Sequence, residues 1–450
     1  NYSKERVNGM KRPASDIKLF TNLLGRLLLA PLGKFVLIPI LSAFIGIIIV
    51  SRITDWWIGA DSYYVYLVGD HRNNPAIAEI FEGFRDKPCD SGDILILDEG
   101  INNVPIKAKC VDDQDDPIKA RQISDNLAAR KDTLMVIGHV KSTQTKAALP
   151  AYLQQAMPPV PVILTMETNP QLIPVKKSDQ ESSDDYSPLF RLWPTDDEQA
   201  ARAAQFAAGN KNSILWVVED EHNPVYSKYL ALKFVEWVQK KNEQTMKVAL
   251  WSSNMSVPSA ETLKKLDIDF VFFAGDWSNA LILINQIKRL LPNQKITLFL
   301  SDAAAGEELL DNGKDDLIQL NVHLTFPLKR KLYSETSDNG FKFIGKDARS
   351  IVNWLIDETR QHYATESRER ASFKYWAMLL LNRHEIEDAR SVLNARMEKA
   401  VRDDKIFDGK LNRYQFIRDN GKNILAQWHI WKVEKVKKDG QYQYRFVDAE

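Results

Sequence analysis

From Tyr63 onward the chain alternates short β-rich runs with helical stretches of about ten residues, and this rhythm restricts the fold more than any other feature. Strand candidates are Tyr63–Val68, Ile106–Val111, Leu134–Ile137, Val160–Leu164, Ser213–Val218, Lys247–Trp251, Phe270–Phe273 and Ile296–Leu300. Helical patterns fall between them at Ala76–Phe84, Pro117–Arg130, Lys146–Gln155, Asp196–Ala208, Tyr226–Lys240, Ser259–Leu266 and Asn279–Leu291. Short strands separated by helices read as βαβ units feeding parallel sheets. There are too many strands for one small sheet, so the expectation is an α/β architecture in two lobes. Two segments depart from the rhythm. Lys176–Ser187 is polar and acidic, as a solvated loop would be. Arg349–Arg402 reads as helical, with Trp354, Leu355, Tyr375, Trp376 and Leu379–Leu381 on its apolar face. Near the end, Asn420-Gly421 between strand-like runs signals a hairpin.

Ahead of this region the charge is uneven. The whole chain balances 60 basic against 60 acidic residues, but the first 34 hold seven basic and two acidic ones, a net of +5. Phe35 to Val50 then runs for sixteen residues without a charge, and Arg52, Trp56 and Trp57 follow. At about 1.5 Å per residue this run falls slightly short of a ~30 Å hydrocarbon core. Lys34 and Arg52 can snorkel and the tryptophans suit an interface, which lengthens the effective span. SRITDWW is a poor signal-peptide cleavage site. The expectation is an uncleaved anchor over residues 35–54 and a basic cytoplasmic or juxtamembrane segment over 1–34. The positive-inside rule places everything after about residue 55 in the periplasm or outside the cell. The chain begins with Asn1 rather than Met, and a cytoplasmic effector domain ahead of it is one expected route for a signal.

Composition excludes several classes. With 44% hydrophobic residues the chain is neither disordered nor collagen-like. Zero net charge argues against a nucleic-acid binder. Two cysteines cannot build a disulfide scaffold or a Cys-rich zinc module. No GxGxxG, GxxxxGK[ST], Gly-x-Ser-x-Gly or HExxH pattern occurs. The seven histidines are scattered. The sequence therefore supports no enzyme, no metal centre and no cofactor.

Val136 to Leu172 is the most informative stretch. A strand ending in Ile137-Gly138-His139 precedes a hydroxyl-rich turn, Ser142-Thr143-Gln144-Thr145. A helix with Pro150 and Tyr152 leads to a second strand ending at Thr165, and then comes Thr168-Asn169-Pro170-Gln171-Leu172. This order resembles the branched-chain amino-acid (Leu/Ile/Val-binding) type of type I periplasmic solute-binding protein. Flanking pieces agree: Val111-Asp112-Asp113 with Pro117, Phe190-Arg191 with Pro194, Asp196 and Gln199, Leu324-Thr325-Phe326-Pro327, Asp347-Ala348, and Phe416 with Asn420-Gly421. The resemblance implies two Rossmann-like lobes with parallel sheets and three crossovers over residues 62–450. Lobe 1 would take about 62–189 and 328–404, and lobe 2 about 190–327 and 405–450.

Strand ends that open into helices present backbone N–H groups and the positive end of a dipole. Ser142 and Thr143, and from the neighbouring strand Thr165 and Thr168, are placed to bind a carboxylate there, although Ser and Thr favour such positions as simple helix caps too. From lobe 2 the resemblance implies that Tyr226 closes over the ligand and that Asp302 holds an ammonium group. Asp276 could do the same electrostatically. Asp276 and Glu167 depart from the family pattern, since glycine and small residues are more usual there, which argues against a branched aliphatic ligand; a carboxylate at Glu167 could fill the pocket or accept an amine. Family members can carry a disulfide in this lobe, and Cys89 and Cys110 are the candidates; two buried thiols are the alternative.

The resulting expectation is a membrane-anchored receptor or sensor that binds a small polar, amino-acid-like solute between its lobes and passes closure to the anchor. The alternatives are a tethered substrate-binding component working with an ABC-type permease, and a ligand-free scaffold subunit of a membrane assembly.

Overall fold

The computed structural model describes residues 62–101, 104–172, 188–209, 214–220, 223–241, 247–252, 261, 265, 268–329, 340–370, 389–409, 412–417, 422–438 and 440–449. The chain divides into a unit of residues 1–61 and a unit of residues 62–450. The basic segment and the apolar run both belong to the first unit and lie outside the described residues, as do Lys176–Ser187 and Tyr375–Leu381. Among the described residues no helix is long and apolar enough to cross a membrane.

The first sheet is built from β1 (Tyr63–Val68), β2 (Ile94–Ile101), β3 (Val104–Val111), β4 (Thr133–Gly138), β5 (Val162–Leu164) and β6 (Leu189–Arg191). Its order is β2-β3-β1-β4-β5-β6, parallel throughout except for β2 at the edge. Helices α1 (Pro75–Arg85), α2 (Pro117–Ala129) and α3 (Ser142–Pro150) connect its strands. The edge strand β2 is absent from the sequence reading, because ILILDEGI breaks its alternation at Asp98 and Glu99. Gly100, next to its last residue, stands at φ +47°, where an added Cβ would lie 1.6 Å from the Val104 carbonyl oxygen. That conformation is open to glycine at no steric cost.

Crossing to the second sheet, α4 (Asp196–Ala208) leads to β7 (Ile214–Glu219), α5 (Pro224–Lys241), β8 (Lys247–Ser252), β9 (Phe270–Ala274), α6 (Trp277–Leu290), β10 (Thr297–Leu300), α7 (Glu307–Gln319) and β11 (His323–Phe326). The chain then returns as α8 (Gly340–Arg370) and α9 (Ala389–Arg402). A small pair follows, β12 (Phe407–Asp408) and β13 (Arg413–Tyr414), and the last elements are β14 (His429–Lys438) and β15 (Gln441–Asp448). The second sheet runs β15-β14-β11-β10-β9-β7-β8, with β14 and β15 antiparallel. The Asn420-Gly421 dipeptide lies outside the described residues, but Phe416 and Asn423 form an antiparallel bridge around it. The long hairpin falls elsewhere: β14 and β15 turn next to Gly440, at φ +82°.

Local chemistry starts the helices where they are observed. Pro75 and Pro117 open α1 and α2, capped by the Asn74 and Asp116 side chains. Thr195 and Glu198 form a capping box on α4. The apolar strand β9 is wholly buried, and Phe234 stacks on Phe272 with ring centroids 4.1 Å apart.

Helices α8 and α9 belong with the first sheet. A Cβ on Gly83 of α1 would lie 1.9 Å from the Lys342 carbonyl oxygen, and one on Gly345 of α8 would lie 1.9 Å from that of Ile80. Two glycines therefore let these helices approach backbone to backbone. From α9, Asn394 donates to the Pro159 carbonyl at 2.9 Å. The connections between sheets are tied together by side chains. Asn423 donates to the Leu192 carbonyl at 3.1 Å, Trp428 to that of Thr195 at 3.0 Å and Trp431 to that of Leu328 at 2.9 Å. These bonds satisfy buried backbone acceptors where the chain passes between lobes. Cys89 and Cys110 are joined as a disulfide, with Cα atoms 5.7 Å apart.

Candidate functional site

The carboxyl ends of parallel strands from both sheets face one cleft of about 190 Å³. On the lobe 1 side it is lined by Asn74 after β1, Val140 to Ser142 after β4 and Met166 after β5. On the lobe 2 side are Asn223, Tyr226, Asp276, Trp277 and Asp302, all near the ends of strands. Such crevices are where open α/β sheets bind ligands.

Ser142 and Thr143 lie in the first turn of α3, not before it as the pattern suggests. Lys141 is the cap residue, and its side chain makes no capping bond. The α3 N-terminus thus presents backbone donors and its dipole toward the cleft without a side chain covering them. Ser142 is buried and lines the cleft. Thr143 is used differently: its hydroxyl donates to Asn223 Oδ1 at 2.7 Å, joining α3 to the start of α5 across the lobes. A second link runs from Asn169 Nδ2 to the Val225 carbonyl at 2.5 Å.

Glu167 corrects a sequence expectation. Its carboxylate does not line the cleft. It is buried and accepts from the Val140 N–H at 2.8 Å, Thr145 Oγ1 at 3.0 Å and the Met166 N–H at 3.0 Å. Burial pushes its pKa up while these donors oppose the rise. The reason for a carboxylate here is the backbone it holds. Val140 stands at φ +72°, a conformation costing a β-branched residue about 1–3 kcal/mol. Glu167 and the buried His139 hold that segment, His139 Nδ1 pairing with Asp113 Oδ2 at 3.0 Å and Nε2 with the Tyr152 hydroxyl at 3.1 Å. Thr165 and Thr168 are also buried behind the cleft and do not line it.

In lobe 2, Asp302 sits at the start of a short 3-10 turn after β10. Its Oδ1 accepts from the Tyr226 hydroxyl and from Gln199 Nε2, both at 2.6 Å, and Gln199 also donates to Thr325 Oγ1 at 2.8 Å. Burial raises the Asp302 pKa to about 6, although both donors favour the charged form. Burial likewise pushes the Tyr226 hydroxyl up, with Asp302 adding to the shift. Asp276 lines the cleft, but its Oδ1 is occupied as the cap of α6, accepting from the Ser278 and Asn279 N–H groups at 3.1 and 3.2 Å and from Ser278 Oγ at 2.7 Å. The sequence reading missed Asn74, Lys141, Met166, Asn223, Trp277 and Phe341 as lining residues. Position after a strand would have found most of them, whereas Phe341 reaches the cleft only through the return of the chain.

Behind the cleft, Arg191 ends β6 fully buried, and burial lowers its pKa to about 10 against the opposing field of Asp196 and Glu167. Asp196, also buried, is pushed well up by burial. Both are fully shielded from solvent. Among the described residues no group of three or more His, Cys, Asp or Glu is placed to hold a metal.

No family model matches the chain, and no curated protein sequence does either. Solved structures do. The chain is similar to a leucine-binding protein from Thermotoga maritima, at 14% identity over 86% of this chain and 99% of that one, with a TM-score of 0.60. It is similar to a periplasmic binding protein type 1 from Bordetella pertussis Tohama I, at 15% identity over 86% and 100%, TM-score 0.58. A solute-binding protein of an ABC transporter from R. palustris, in complex with 4-hydroxybenzoate, matches at 12% identity over 86% and 96%, TM-score 0.61. The chain has the type I periplasmic-binding-protein fold.

Proposed function

We propose that residues 62–450 bind a small zwitterionic, amino-acid-like solute between the two lobes. One observation carries this reading. The uncovered N-terminus of α3 with the Ser142 hydroxyl on lobe 1, and the Asp302 carboxylate with Tyr226 on lobe 2, border the same cleft. The first pair suits a carboxylate and the second an ammonium group. Thr143 contributes by holding the lobes together, and Glu167 by holding the turn. The ligands named for the structural neighbours, leucine and hydroxybenzoate, are small carboxylates and support the same direction. The role is binding rather than catalysis.

The basic segment 1–34 and the apolar run 35–50 support an anchor over residues 35–54 that leaves this module on the extracytoplasmic side, acting as a receptor whose closure is relayed to a cytoplasmic effector. The second reading, a tethered component delivering its solute to a permease, is favoured by the transporter assignments of the neighbours.

A thermal-shift screen of the full chain against L-amino acids and 4-hydroxybenzoate tests the binding claim. A ligand at 100 times its Kd adds about 2.7 kcal/mol to stability. A shift with amino acids is expected, and its absence across the whole set would overturn the reading.

A further inference from the structure

Resting on the binding reading above, we infer that Arg191 is a positioning residue for the solute. It is a buried counter-charge that lets the start of α3 accept a carboxylate although the carboxylate of Glu167 already sits there. Glu167 Oε1 accepts from the Val140 N–H at 2.8 Å, two residues ahead of α3, and from Thr145 Oγ1 at 3.0 Å, the fourth residue of that helix. A buried carboxylate therefore stands at the helix end to which the binding reading assigns the carboxylate of the solute. Like charges repel, and they do so strongly where water is excluded. The positive end of the α3 dipole amounts to about half an elementary charge, and Glu167 by itself would counter it.

Arg191 has the place and the state to compensate. It ends β6, whose register pairs it with Leu164 of β5, three residues before Glu167. It is fully buried, and its Nε, Nη1 and Nη2 make no hydrogen bond among the described residues. Buried charges are ordinarily paired and hydrogen-bonded, because desolvation is costly. A guanidinium held without such bonds acts through its field. That field reaches Asp196 and Glu167, and a pKa of about 10 keeps Arg191 charged through the neutral range. Asp196 is the competing partner. It too is fully buried, and burial pushes it well up toward the neutral form, with Thr168 and Arg191 opposing the rise. Tyr229, the remaining group in the field of Arg191, is kept neutral by the burial that raises its pKa. One firm positive charge thus faces two carboxyls that burial pushes toward neutrality. With Arg191 present the start of α3 is positive on balance, and the consequence is preference for a free carboxylate over a neutral carboxamide of the same shape.

The test is calorimetric titration of the full chain with each L-amino acid that stabilises it in the thermal-shift screen, beside the α-carboxamide of the same amino acid. Arg191→Met keeps most of the bulk and removes the charge. It should weaken the acid by about tenfold and leave the amide unchanged within about twofold. Arg191→Met/Glu167→Gln removes both charges and keeps Oε1 as the acceptor for Val140 and Thr145. It should return the acid to within about threefold of the parent. Glu167→Gln alone keeps the test open if Arg191→Met does not fold. With the opposing charge gone and Arg191 in place, the acid should bind at least about threefold tighter and the amide as before. Equal losses for acid and amide in Arg191→Met, as a packing role would give, overturn this inference and leave the binding reading standing. So does an acid-to-amide ratio that neither Arg191→Met nor Glu167→Gln moves. If no amino acid stabilises the chain, the binding reading fails and this inference fails with it.

Discussion

Tyr226 and Gln199 donate to the same oxygen of Asp302, each at 2.6 Å, although the three residues come from α5, α4 and the turn after β10. This convergence fixes a buried carboxylate at the edge of the cleft and makes Asp302 the residue whose chemistry is most open to measurement.

Asp302→Asn keeps the shape and removes the charge. Loss of a charge-assisted bond to an ammonium group is expected to weaken amino-acid binding by about 10- to 100-fold, equivalent to roughly 1.5–3 kcal/mol. Calorimetry on the variant checks this. Unchanged affinity would remove Asp302 from the site.

Acidity acts on binding and folding in opposite senses. The folded-state pKa of Asp302 is about 6, against an ordinary value of 3.8. A carboxyl raised in this way stabilises the fold fully below the ordinary value, and that contribution is lost as pH rises through about 6, a change on the order of 1–3 kcal/mol. Ammonium recognition needs the ionised form. Affinity should therefore fall as pH drops below about 6, by up to roughly tenfold per unit. Titrations between pH 5 and 7.5 should show this slope in the parent protein and lose it in Asp302→Asn.

The Thr143–Asn223 bond crosses between lobes at 2.7 Å. A double-mutant cycle with Thr143→Val and Asn223→Ala, read as ligand affinity, should give a coupling of about 0.5–1.5 kcal/mol, the usual net value of such a bond. A coupling of zero would mean that the pair contributes nothing to the bound form.

Gly83→Ala should destabilise lobe 1. Its Cβ would meet the Lys342 carbonyl oxygen at 1.9 Å, a backbone atom on α8 that cannot swing aside. Forced separation of the two helices is expected to cost at least about 1–3 kcal/mol, measurable as a lower urea midpoint.

Much of the framework could be read before the structure. The alternation after Tyr63 anticipates most of the parallel strands, because buried parallel strands are short apolar runs and their helices carry capping residues such as Thr195 with Glu198. The hydroxyl-rich turn points to Ser142 at the cleft for the same local reason. What escaped depends on distant partners. Gly83 and Gly345 meet only because α8 returns to lobe 1 after the whole of the second sheet is made. Glu167 looks like a pocket residue in one dimension; only the left-handed Val140 above it explains a carboxylate that faces inward. Asp276 follows a strand as a ligand residue would, but its helix supplies two N–H groups first. Membrane anchoring rests on residues 1–61 and continues to be a reading of charge and hydropathy.

The most direct measurement is a crystal structure of the protein with the amino acid that gives the largest thermal shift. The account predicts density in the interlobe cleft, with the ligand carboxylate about 2.7–3.1 Å from Ser142 Oγ and the first-turn N–H groups of α3, and its ammonium within a similar distance of Asp302. A ligand bound elsewhere, or one lying in the cleft with its carboxylate toward Asp302, would contradict it.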